Sequence, residues 1–173
     1  MKNICIGLFE GETLPESLTA FKDVKLDLEF GKITTIHTLN QLDCEKVVVV
    51  GLGDGKKNIK EAFSKVEADD YLVYATENTA YAAGFGLVYG AYSYKDTKVY
   101  DLESDDFKDE FEKGKTVARI VNHAREMSDM PANFLTPDHL VDEAKMVAEK
   151  YGMEIEVLAQ DDLEEIGAGA LLA

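Results

Sequence analysis

The chain has no tryptophan and only two cysteines, three prolines and three histidines in 173 residues. Cys5 and Cys44 form no C-x-x-C pair, and two thiols cannot build a disulfide framework in a chain this long. His37, His123 and His139 belong to no H-E-x-x-H pattern and to no Cys/His cluster with zinc spacing. No apolar run approaches the ~20 residues of a membrane-spanning helix. The opening MKNICIGLFEGE carries one lysine and early acids and lacks the long apolar core of a secretion signal. These features together point to a reducing, cytoplasmic setting. Basic residues are scarce as well: 18 lysines and arginines face 34 acids, a formal charge of −16. Such a field repels phosphate backbones and anionic lipid, which argues against nucleic acid or a membrane surface as the main partner.

A hydrophobic fraction of 46% is enough for a packed core. Alternating apolar residues predict a first strand in KNICIGLF, with Ile4, Ile6 and Leu8 on one face. A short helix is expected in ESLTAF. Strands are expected in VKLDLEF, where Val24, Leu26, Leu28 and Phe30 share a face, and in KITTIHTL. The continuous run Val47, Val48, Val49, Val50 predicts a strand buried on both faces. Ile59, Ala62, Phe63 and Val66 set a helix over 58–66, and DYLVYAT a further strand. NTAYAAGFGLVYGAYSY predicts a helix in which Gly84, Gly86 and Gly90 admit a close neighbour. TKVYDL follows as a strand. A long acidic helix begins near Asp105, its apolar positions including Phe107, Phe111, Val117, Ala118, Val121, Ala124 and Met127. Strands alternating with helices make this an α/β protein.

Two of the three prolines, Pro131 and Pro137, sit six apart between helical patterns. Thr136 is a good N-cap, Pro137 suits the first helical position, and Gly152 is a stop signal. Between them Leu140, Val141, Ala144, Val147, Ala148 and Tyr151 fall on one face. A strand is then expected in MEIEVLA, and Asp161 with Glu164 has capping-box spacing for a second helix. A strand, a helix start and the apolar GAGALLA read as the opening of a larger α/β domain.

The chemical motifs are thin. In GLGDGKK, Gly51 and Gly53 follow a buried strand as in a dinucleotide loop, but Lys56 stands where the third glycine belongs. Lys57 stands where a P-loop needs Ser or Thr. A plain strand-end turn is the better reading; an anion or nucleotide loop between Gly51 and Lys57 is the other. The acidic pairs Asp69/Asp70, Asp105/Asp106 and Asp161/Asp162 are explained by the general acidity and by helix starts. No Ser/His/Asp arrangement can be nominated. The tyrosines lack the interleaved basic residues of a nucleic-acid platform.

Residues 118–173 carry more. Ala124-Arg125, Pro131-Ala132-Asn133, Leu135-Thr136-Pro137 and the stretch from Gly167 to Ala173 occur in the order found at the domain junction of leucyl (cytosol) aminopeptidases, and the segment closely resembles that family. VVVVGLGDGKK and GFGLVYGAYSYKDTK resemble it more weakly. The resemblance implies a three-layer, macro-domain-like α/β domain with a mixed sheet over 1–104, a connecting helix over 105–130, and the truncated start of the peptidase domain over 131–173. The family's parent enzyme is a cytoplasmic, hexameric two-metal exopeptidase using manganese or zinc. Its metal and catalytic motifs are not found in this sequence. Asn78-Thr79 matches the start of one, but Ala80 replaces the ligand aspartate. No catalytic, cofactor-binding or metal-binding residue is therefore assigned. The implied role is assembly and domain positioning within the parent, beside its own peptidase domain. The alternative is a stand-alone macro-like module binding a nucleotide or ADP-ribose.

Overall fold

The computed structural model describes residues 2–93 and 100–172. They fall into two units, Met1–Glu126 and Met127–Ala173. The first is built on a five-stranded sheet of β1 (Asn3–Leu8), β2 (Ile33–His37), β3 (Lys46–Gly51), β4 (Tyr71–Tyr74) and β5 (Tyr100–Leu102). Its order is β2-β3-β1-β4-β5. β1 lies at the centre, parallel to β3 and β4, β5 is parallel to β4, and β2 is antiparallel to β3 on one edge. The sheet is mixed and the class is α/β, as expected.

Side-chain alternation splits the core in two. Cys5, Val48, Val50, Tyr71 and Val73 face one way, against α1 (Ile59–Phe63), α2 (Ala80–Gly90) and Phe111 of α3 (Lys108–Asp129). Ile4, Ile6, Leu8, Val47 and Val49 face the other way, against Leu18 and Phe21 of a 3-10 helix at Glu16–Phe21. Val47, Val49 and Val50 are fully buried, as a central strand requires.

The glycines of α2 admit neighbouring backbones. A Cβ at Gly84 would collide with the Phe111 carbonyl, and one at Gly114 of α3 with the Tyr81 carbonyl. The two helices therefore pack backbone to backbone at reciprocal glycines. α2 meets α1 in the same way, where Gly90 faces the Ser64 carbonyl. Arg125 closes the far end of the α2–α3 contact. Its guanidinium lies 4.6 and 4.2 Å from the Tyr89 and Tyr92 rings and donates to the Tyr89 carbonyl at 3.1 Å.

In the second unit, α4 runs Pro137–Tyr151 between the expected signals. Thr136 Oγ1 accepts the His139 N–H at 3.4 Å, and Gly152 takes the left-handed conformation at φ 64°. Pro131 lies two residues beyond Asp129, the last residue of α3, and its carbonyl accepts from Phe134 and Leu135. Short helices α5 (Gln160–Glu165) and α6 (Gly169–Leu172) complete the described chain.

Several expectations are corrected. VKLDLEF is not a strand. Leu26 and Leu28 do face the core, but the segment forms no ladder, and Phe30 packs on the opposite cluster. MEIEVLA is not a strand either. A strand needs a neighbour to bond; among the described residues this segment belongs to no ladder, and Met153, Ile155 and Val157 are exposed. The helix over 58–66 shrinks to Ile59–Phe63, and the glycine-rich helix ends at Gly90. The acidic helix opens with a 3-10 turn, Asp105–Phe107, and its Ala124 is exposed. The second cap is displaced: Ala159 is the capping position, and its N–H donates to Asp162 Oδ2 at 2.8 Å. The strand expected in TKVYDL is present from Tyr100; its residues 97–99 lie outside the described residues.

Candidate functional site

The parallel strands β1, β4 and β5 end side by side, and the chain leaves them in different directions. After β1 it turns toward β2 and β3; after β4 it enters α2 and turns toward β5. Connections that part on opposite sides of two adjacent parallel strands leave a crevice between them, the usual ligand position in open α/β sheets. A cleft of about 500 Å³ occupies that position. Leu8, Pro15 and Leu102 give it apolar walls, Thr13 and Thr76 contribute hydroxyls, and Glu12 and Glu103 stand at its rim.

Two hydrogen-bonded turns fix these loops. Glu12 N–H donates to the Phe9 carbonyl, and Phe9 N–H returns a bond to Glu12 Oε2 at 2.8 Å. Thr76 N–H donates to Thr79 Oγ1 at 2.8 Å, which brings Asn78-Thr79 into service as a local turn. Glu103 N–H extends the sheet by bonding the Val73 carbonyl.

The GLGDGKK loop, between Gly51 and Lys57, is a strand-end turn. The N–H groups of Gly51, Leu52 and Gly53 donate to the carbonyls of Lys32, Leu8 and Leu28. An anion cradle needs such groups free. Lys56 is also engaged: its ammonium lies 2.6 Å from Asp54 Oδ2. That hydrogen bond holds the Asp54 carboxyl below its usual range and raises the Lys56 ammonium. Lys57 lies over the Phe30 ring at 5.0 Å.

The remaining polar candidates do not converge. His37 ends β2, His123 is on α3 and His139 is at the start of α4. Asp69 anchors the opposite end of the sheet, pairing with Lys46 at 2.9 Å and accepting from Asn3 Nδ2 at 3.0 Å. Burial raises its carboxyl, but the bonds from Lys46, Asp70 N–H and Asn3 outweigh it, and the net shift is downward. Among the described residues, no group of three or more His, Cys, Asp or Glu could hold a metal ion. The residues present do not fit a two-metal centre, so no metal-dependent step is assigned to them. Also among the described residues, no helix is long and apolar enough to cross a membrane.

The model of the "Cytosol aminopeptidase family, catalytic domain" matches residues 122–173, the segment from the end of α3 through α6. A probable cytosol aminopeptidase of Exiguobacterium sibiricum is 34% identical over 166 residues, covering 83% of this chain and 35% of the relative. The chain belongs to the cytosol aminopeptidase family. A second probable cytosol aminopeptidase, from Aromatoleum aromaticum, is 26% identical over 186 residues, covering 86% of this chain and 37% of its own. The chain thus spans about a third of the length of these curated relatives. Among solved structures, the bottromycin maturation enzyme BotP in complex with Mn superposes with a TM-score of 0.70 at 18% identity, covering 96% of this chain and 40% of that one. That likeness establishes the shared fold. Sequence reasoning located the family through the 118–173 segment, but it missed the cleft, whose walls come from three separate stretches.

Proposed function

We propose that this chain is the leading segment of a leucyl aminopeptidase, a cytoplasmic exopeptidase that releases N-terminal amino acids from peptides. The observation that carries this reading is the position of the catalytic-domain match. It begins at residue 122, inside α3, and is confined to the last part of the chain. On this reading 1–104 is an accessory domain, 105–130 a connecting helix, and 131–173 the start of the peptidase domain. The chain's task is domain positioning and assembly, in a homohexamer of the full-length parent. Two divalent ions, Mn or Zn, would be held by the remainder of the parent, where they would polarise the scissile carbonyl and activate water. BotP's complex with Mn supports a divalent metal in proteins of this fold.

The test is hydrolysis of leucine-p-nitroanilide with Mn²⁺ or Zn²⁺. The 173-residue chain is expected to show no turnover under conditions in which a full-length relative such as the Exiguobacterium sibiricum protein is active. Metal-dependent turnover by the pure 173-residue chain would overturn the assignment.

A further inference from the structure

We propose that the cleft at the carboxyl ends of β1, β4 and β5 is a binding site for a small organic cation, a primary amine on an apolar body. This does not rest on the aminopeptidase reading. The cavity comes first: about 500 Å³ lies within the range of small-molecule sites, at the place where the sheet's connections part. The lining then sets the ligand's charge. Among the described residues, Glu12 and Glu103 are its only charged side chains, and no described lysine or arginine lines it. Neither carboxylate is paired with a cation among the described residues. Glu12 is held by Phe9 N–H through Oε2, which leaves Oε1 for a ligand.

A phosphate or diphosphate placed here would face two carboxylates with no compensating cation, at a like-charge cost. An ammonium group would instead receive charge-assisted hydrogen bonds from the rim. The apolar chain behind it would lie against Leu8, Pro15 and Leu102. The formal charge of −16 works in the same direction by raising the local concentration of cations.

The experiment is titration calorimetry on the 173-residue chain with 1,5-diaminopentane. 1,5-Pentanediol serves as the neutral isostere and ADP-ribose as the anionic rival. The diamine is expected to bind at millimolar concentration or tighter, more weakly as salt rises, while the diol and ADP-ribose give no heat. Glu12→Gln and Glu103→Gln should each weaken the diamine about tenfold, the loss of one charge-assisted bond. Glu12→Gln keeps an oxygen for Phe9 N–H, so the turn is retained. Amide shifts at Thr76 and Leu102 should locate the ligand. Equal binding of diol and diamine, unchanged affinity in both variants, or binding of ADP-ribose in place of the diamine would each overturn the proposal. None of these outcomes depends on whether the chain belongs to a peptide-hydrolysing enzyme.

Discussion

The two units use similar sequence signals to different ends. In the first, apolar periodicity is matched by partners: Phe63 and Phe111 are almost completely buried, and Gly84 and Gly114 meet carbonyls of the facing helix. In the second, α4 has a well-formed amphipathic pattern, but Leu140 is 50% and Tyr151 66% exposed, and nothing lies within 4 Å of a Cβ at Gly152. The local code for a helix is fuller in the second, where Thr136 caps α4, than in α2, whose N-cap makes no side-chain hydrogen bond. What differs is whether the apolar face is covered, and most helical stability comes from that covering.

The largest effect should separate the units directly. Phe111→Ala empties a site that is 1% exposed and should cost about 3–5 kcal/mol. Leu140→Ala, on the open face of α4, should stay within about 0.5 kcal/mol. Urea unfolding of both variants provides the check. Similar losses at the two positions would mean that α4's face is covered in solution.

Alkaline pH should destabilise the first unit. Burial pushes the Cys5 thiol up to about 12. The folded state therefore keeps a proton that the unfolded chain, with an ordinary thiol at 9.0, gives up. This contribution is intact below the unfolded value and is lost as pH rises toward 12, reaching up to about 4 kcal/mol. Burial also raises the Tyr71 phenol, which works in the same direction. Cys5→Ala should flatten the fall in urea midpoint above pH 9. A parallel fall in wild type and variant would show that the thiol already titrates in the native protein.

A smaller loss is expected at the helix crossing. Gly84→Ala gains up to about 1 kcal/mol of helix propensity. Its methyl must displace the Phe111 carbonyl, which is backbone of a packed helix. Overpacking of this kind costs about 1–3 kcal/mol, so the net change should be destabilising. A stabilised variant would mean that α2 and α3 can separate without cost.

Which parts of this architecture the sequence discloses follows from where the deciding interactions lie. β3 and α4 are legible because their determinants are consecutive: four valines in one case, and Thr136, Pro137 and Gly152 around a 3.6-residue period in the other. VKLDLEF misleads because alternation reports side-chain faces and not backbone partners. Leu26 and Leu28 are placed on the core as expected, yet Asp27 N–H bonds a side chain, Thr34 Oγ1, instead of a strand. MEIEVLA misleads for the same reason, since its pattern specifies two faces and no neighbour. The cleft is not legible at all. It depends on β1 and β4 becoming adjacent across more than sixty residues, and no local period encodes strand order.

The smallest expected effect tests the unit in which local signals act with little help. Thr136 supplies one acceptor for the open N–H groups at the start of α4, through Oγ1 to His139 N–H. Thr136→Ala removes it and should cost about 1 kcal/mol of helix stability, whereas Thr136→Ser keeps the hydroxyl and should cost much less. In a covered helix such a loss is partly masked by packing. In α4, whose apolar face is largely exposed apart from Ala148, it should speed amide exchange in the first turn several-fold while leaving the β3 amides unchanged. If exchange in β3 accelerates equally, the two units open together, and their separate behaviour in the structure does not extend to their energetics.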